Sequence, residues 1–144
     1  MSQVRFIHLR VHTEHSLLEG AVPVKTLIKL AKAADMPAVA VTDTNNMFAA
    51  LEFSVSALAE GVQPIVGCQI ALAVDENPDS ARKGGHAASH FHDGDQLVLL
   101  AQSEVGYKNL LNIVSRSFIE MDDDGTAMVL LGTVLVSITI ALGG

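Results

Sequence analysis

Phe6-Ile7-His8-Leu9-Arg10-Val11-His12-Thr13-Glu14-His15-Ser16-Leu17-Leu18-Glu19-Gly20 lies near the start of the chain and decides its reading. Phe6 to His12 is expected to be a strand, because apolar and polar residues alternate and alternation places residues 8, 10 and 12 on one face. Working outward, Val24, Leu27, Ile28, Ala31 and Ala34 recur at helical spacing and predict an amphipathic helix over 24–34, begun at Pro23. Ala38 to Thr42 is a short apolar run of the kind found in buried parallel strands. Met47, Ala50, Leu51, Ser54, Val55 and Leu58 predict the packed face of a second helix, ended by Gly61. Ile65 to Val74 reads as a third strand, entered through Pro64. After a polar loop over Asp75–Gln96, Leu97 to Ala101 reads as a fourth strand. Tyr107, Leu110, Leu111, Val114 and Phe118 mark the apolar face of a third helix, and Asp122 to Gly125 is an acidic turn.

Alternation of strand and helix predicts an α/β fold with parallel strands and right-handed crossovers. Sites in such folds gather at the C-terminal ends of strands. His12, Asp43 and Gln69 fall at or near such ends.

The 144 residues suffice for one domain with a core, and 49% apolar against 17% charged residues excludes a disordered chain. A net charge of −7 argues against direct nucleic-acid binding, which neutralises phosphates with basic side chains. The lone cysteine, Cys68, permits no internal disulfide and fits a reducing compartment; it reads as a small buried apolar residue. Met1 to Arg10 is too polar and short for a signal peptide, so a cytoplasmic location is expected. Ala127 to Gly144 carries no charge. Two buried strands around Gly132 are the preferred reading of this tail; a membrane span and a non-native continuation are the alternatives.

The opening stretch resembles the start of the PHP (polymerase and histidinol phosphatase) domain, in the form that begins bacterial replicative DNA polymerases. Met36-Pro37-Ala38-Val39-Ala40-Val41-Thr42-Asp43, Gly61-Val62-Gln63-Pro64-Ile65-Val66-Gly67, Leu97-Val98-Leu99-Leu100-Ala101 and Gly106-Tyr107-Lys108-Asn109-Leu110 follow in that family's order and spacing. The resemblance covers about residues 4 to 120. It implies the first half of a distorted (β/α)7 barrel with parallel strands, so that 1–120 is the N-terminal part of the domain and 121–144 an atypical apolar tail.

Active members hold divalent metals that activate water and stabilise phosphoryl charge. Carried over position by position, the resemblance places metal-site roles on Arg10 and His12, Glu19, Asp43 and Thr44, Gln69, and Gln96. His12, Glu19 and Asp43 match the family pattern; Arg10, Thr44, Gln69 and Gln96 do not. Arg10 is a fixed cation without an acceptor, and Thr44 and Gln69 offer only neutral oxygens. Arg10 is therefore expected to replace metal charge and pair with Asp43 or Glu19.

The resemblance implies a metal-free segment without catalytic activity, inside a polymerase whose own DNA synthesis uses Mg²⁺. It further implies contacts with the other polymerase domains and docking of a separate proofreading exonuclease subunit. The competing reading is an active metal-dependent 3′–5′ exonuclease or phosphoesterase of the same fold. No membrane partner is expected. Uncovered edges of half a barrel predict self-association of the chain alone. His86, His90 and His92 read as a solvated loop, His8 as a hydrogen-bonded core histidine, His15 as lying at the surface or beside the site, and Asp122, Asp123 and Asp124 as a solvated turn.

Overall fold

The computed structural model describes residues 6–73, 96–119, 129–130 and 134. In order, they form α1 (Val24–Ala33), β1 (Ala38–Val41), α2 (Ala50–Ala59), β2 (Gln63–Ala73), β3 (Gln96–Leu100), α3 (Glu104–Ile119) and β4 (Val129–Leu130). Helix α1 forms as expected: Pro23 precedes it, and Val24, Leu27, Ile28 and Ala31 are buried along one face. Met36 N–H closes its end on Ala31 C=O at 3.0 Å, after Asp35 takes a left-handed φ of 52°. The chain then enters β1, whose four residues are all buried.

Strand β1 runs parallel to β2, with Ala38 opposite Gln63 and Val41 opposite Val66. Strand β3 pairs with β2 antiparallel, Gly67 opposite Leu100 and Ala71 opposite Gln96, which corrects the all-parallel expectation. A parallel neighbour needs a long crossover, normally a helix, whereas an antiparallel one needs only a loop. The polar stretch ahead of β3 carries no helical periodicity. Among the described residues the sheet is four-stranded and open: β1, β2 and β3 lie in that order, and β4 pairs with the end of β2 at Leu72 and Ala73. The result is a mixed α/β fold, not a closed barrel.

The expected strand over Phe6–His12 is also corrected. The segment does lie along β1: Ala40 N–H donates to His8 C=O and Thr42 N–H to Val11 C=O, both at 2.8 Å. Three residues of one chain thus span two of the other, the count of a β-bulge, and the regular ladder is lost. His8 is exposed, not a core histidine; its ring meets Phe6 edge-on at 4.7 Å.

Two apolar clusters hold the fold together. One joins α1, β1 and α2 through Val24, Ile28, Val39, Val41, Phe53 and Ala57. The other joins β2 and α3 through Cys68, Ile70, Leu110 and Ile113, with Val134. Both helix faces differ from expectation. Helix α2 buries Ala50, Phe53 and Ala57, not Leu51, Val55 and Leu58. Helix α3 buries Leu110 as expected, together with Ile113 and Ser117, while Leu111 and Phe118 are 40% and 49% exposed.

Among the described residues no helix is long and apolar enough to cross a membrane. Among the described residues of the tail, Val129–Leu130 form a strand. The histidines at 86, 90 and 92 and the aspartates at 122–124 lie outside the described residues.

Candidate functional site

Side chains alternate along β2, so Cys68 and Ile70 point into the α3 cluster while Gln69 points the other way. Gln69 is only 1% exposed, and its amide is the hub of a polar network. Arg10 Nε donates to Gln69 Oε1 at 2.8 Å, and His12 Nε2 lies 3.2 Å from the same oxygen. Gln69 Nε2 donates to Gln96 Oε1 at 2.6 Å and to Thr44 Oγ1 at 3.3 Å. Thr44 Oγ1 in turn donates to Glu19 Oε2, which also lies 3.2 Å from His12 Nδ1.

Backbone geometry brings these groups together. Gln69 N–H donates to Asp43 C=O at 3.1 Å and Asn45 N–H to Gln69 C=O at 2.7 Å, so β2 holds the turn after β1. The loop bearing Glu19 folds back over His12 through Gly20 N–H donating to Ser16 C=O at 2.9 Å. A Cβ at Gly20 would fall 2.3 Å from Thr13 C=O, so only glycine permits this close return.

Asp43 sits behind the network, 1% exposed. Its Oδ1 accepts from Thr13 N–H and Ser16 Oγ, both at 2.6 Å, and its Oδ2 from Thr13 Oγ1 at 2.8 Å. Ser16 Oγ also accepts from Thr44 N–H at 3.1 Å, which ties the carboxylate to the network. All seven positions singled out in the sequence therefore converge. The expected ion pair of Arg10 with Asp43 or Glu19 does not form; Arg10 turns to Gln69 because Asp43 is saturated and Glu19 is engaged by His12 and Thr44.

Thr13 and Ser16 were not foreseen. Their signal, two hydroxyl residues three apart beside the His12 position, is too short to carry a pattern. Asn46 was missed as well; its Nδ2 donates to His15 C=O and Thr44 C=O, both at 3.0 Å. His15 is half-buried beside the site. Cys68 is buried as expected, and burial pushes its thiol up to about 12, which leaves it inert near neutral pH.

Hydrogen-bond accounting limits what the cluster can do. Arg10 has only donors, so Gln69 must present its oxygen, and His12 then faces one acceptor from each ring nitrogen. A neutral ring serves one of them; a protonated ring serves both. Among the described residues, no group of three or more His, Cys, Asp or Glu is placed to hold a metal ion.

Replacing Gln69 by leucine tests the hub. Arg10 and Gln96 are exposed and can turn to water. The expected loss of stability is therefore about 1–2 kcal/mol, read as a lower denaturant midpoint with an unchanged slope. An unchanged midpoint would mean that the amide contributes no net stability.

The PHP domain family matches residues 8–131, and the chain belongs to that family. Its matches are more particular than the family. Over 122 residues it is 37% identical to the DNA polymerase III subunit alpha of Treponema pallidum, and over 121 residues 40% identical to that of Thermus aquaticus. Each match covers 83% of this chain and 10% of the relative, so the chain spans about a tenth of the length of these curated relatives, in their N-terminal region. Among solved structures, an amidohydrolase from Chromobacterium violaceum shares the fold, with a TM-score of 0.51 at 17% identity over 78% of this chain and 34% of that one.

Proposed function

We propose that this chain is PHP-domain sequence of a bacterial replicative DNA polymerase, a DNA polymerase III alpha subunit, and that it serves that enzyme by structure and docking rather than by hydrolysis. The single observation that carries this reading is the Gln69 amide at the centre of the site, held by Arg10 on one side and by Gln96 and Thr44 on the other.

The residues do not fit a metal cluster. The guanidinium of Arg10 occupies one position that the resemblance assigns to a ligand, the neutral oxygens of Thr44, Gln69 and Gln96 occupy three more, and both Asp43 oxygens are taken by hydroxyl and amide donors. No hydrolytic step is therefore derived from this site. Its work is to fasten the Arg10–His12 segment, the Glu19 loop, the turn after β1, and strands β2 and β3 to one another without an ion.

In this reading nucleotide transfer, with its Mg²⁺, belongs to other parts of the polymerase. The segment supports neighbouring domains of the alpha subunit and offers a face to the proofreading exonuclease subunit in the cytoplasm. Its net charge of −7 is consistent with protein contacts in place of phosphate contacts.

Elemental analysis after dialysis tests the reading on this chain and on a version extended through the whole domain. The expected result is no stoichiometric Zn²⁺ or Mn²⁺ in either. Stoichiometric metal in the extended version would overturn it in favour of the exonuclease or phosphoesterase reading, with His12, Glu19 and Asp43 as this chain's ligands beside residues from the added segment.

A further inference from the structure

The Phe6–His12 segment has one occupied edge and one open edge. The occupied edge lies along β1, where His8 C=O and Val11 C=O accept from that strand and from Thr42. Among the described residues, the backbone groups of Leu9 and Arg10 meet no partner. Side chains alternate across the segment. Val11 packs against the cluster of α1, β1 and α2, while Arg10 and His12 reach Gln69.

Beside this segment lies a groove of about 600 Å³. Leu27, Leu30 and Met36 give it an apolar floor, and Arg10 stands at its lip between His8 and His12. Among the described residues no carboxylate lines it. Arg10 Nε is committed to the buried Gln69 amide at 2.8 Å, which fixes the plane of the guanidinium. Its Nη donors meet no acceptor among the described residues, in a chain of net charge −7. A planar fork held in this way matches a carboxylate, which accepts two parallel N–H bonds.

We propose that Arg10 receives a carboxylate from the polymerase's own polypeptide beyond residue 144, carried on an extended segment that pairs with the open edge of Phe6–His12. The proposal rests on the polymerase reading above. Unpaired backbone groups on an edge recruit a strand, and alternation lets that strand lay apolar side chains on the α1 floor while it turns an acid toward Arg10. The charge selects among covers, because a wholly apolar one would bury the guanidinium without a partner. The relatives have the polypeptide to spare: the match covers 10% of their length, in their N-terminal region. Arg10 then links the Gln69 network to the rest of the domain.

Hydrogen exchange and denaturant unfolding test this, on the present chain and on the version extended through the whole domain. The amides of Leu9 and Arg10 are expected to exchange at least about tenfold more slowly in the extended version. Arg10→Met is expected to lower the denaturant midpoint of the extended version further than that of the present chain, because only there is a carboxylate left stranded. Unchanged exchange, or equal midpoint shifts in the two versions, would overturn the proposal. Slow exchange that requires added proofreading subunit would overturn it in favour of a separate chain. Neither readout involves metal, so these failures are distinct from a failure of the metal-free reading.

Discussion

Asp43→Ala is expected to lower the free energy of unfolding by roughly 3–5 kcal/mol, the first of the two largest losses foreseen for this chain. Its carboxylate accepts three short bonds, from Thr13 N–H, Thr13 Oγ1 and Ser16 Oγ, in a place sealed from water. Alanine leaves all three donors buried and without a partner. The two hydroxyls can rotate, but the Thr13 amide cannot. Asp43→Asn keeps the shape and one acceptor oxygen while turning an NH₂ toward a donor, so it is expected to lose about half as much. The denaturant midpoint measures both. The size of the loss also separates two roles for the residue. A carboxylate kept to meet a cation sits among unsatisfied acceptors, and removing it often stabilises the fold. A carboxylate saturated by donors is a structural clasp, and its removal costs stability. A loss below about 1 kcal/mol for Asp43→Ala would sink the clasp reading.

What could be read in the sequence follows the physics of each signal. The α1 face was legible because only one side of that helix is apolar. The α2 face was not, because apolar residues lie on both sides of the helix and period alone cannot say which turns inward. Leu51, Val55 and Leu58 fit a helical stripe as well as Ala50, Phe53 and Ala57, and it is Phe53 and Ala57 that pack into the cluster with α1 and β1. The direction of β3 was hidden for a related reason: alternation reports a strand, not its sense, and the polar loop before it was the better guide. At the site, convergence was legible from strand ends. The partner of Arg10 was not. Charge alone favoured Asp43 or Glu19, but Thr13 and Ser16 had already filled Asp43, and those two hydroxyls are invisible to periodicity.

Phe53→Ala is expected to cost about 3–5 kcal/mol, because the ring is fully buried and its removal leaves a cavity that the surrounding side chains can only partly close. Phe53 packs in the cluster that contains Val24, Ile28, Val39 and Val41, where α1, β1 and α2 meet. Leu51→Ala, two residues earlier on the opposite side of the helix, removes a side chain that is 77% exposed. In dilute solution its effect is expected to stay within about 0.5 kcal/mol. Denaturant unfolding of the two variants side by side measures the contrast. Equal losses for the two variants in dilute solution would mean that α2 is turned about its axis relative to the present description, with the leucine stripe inward. The assignment of the core to Phe53 would then fail.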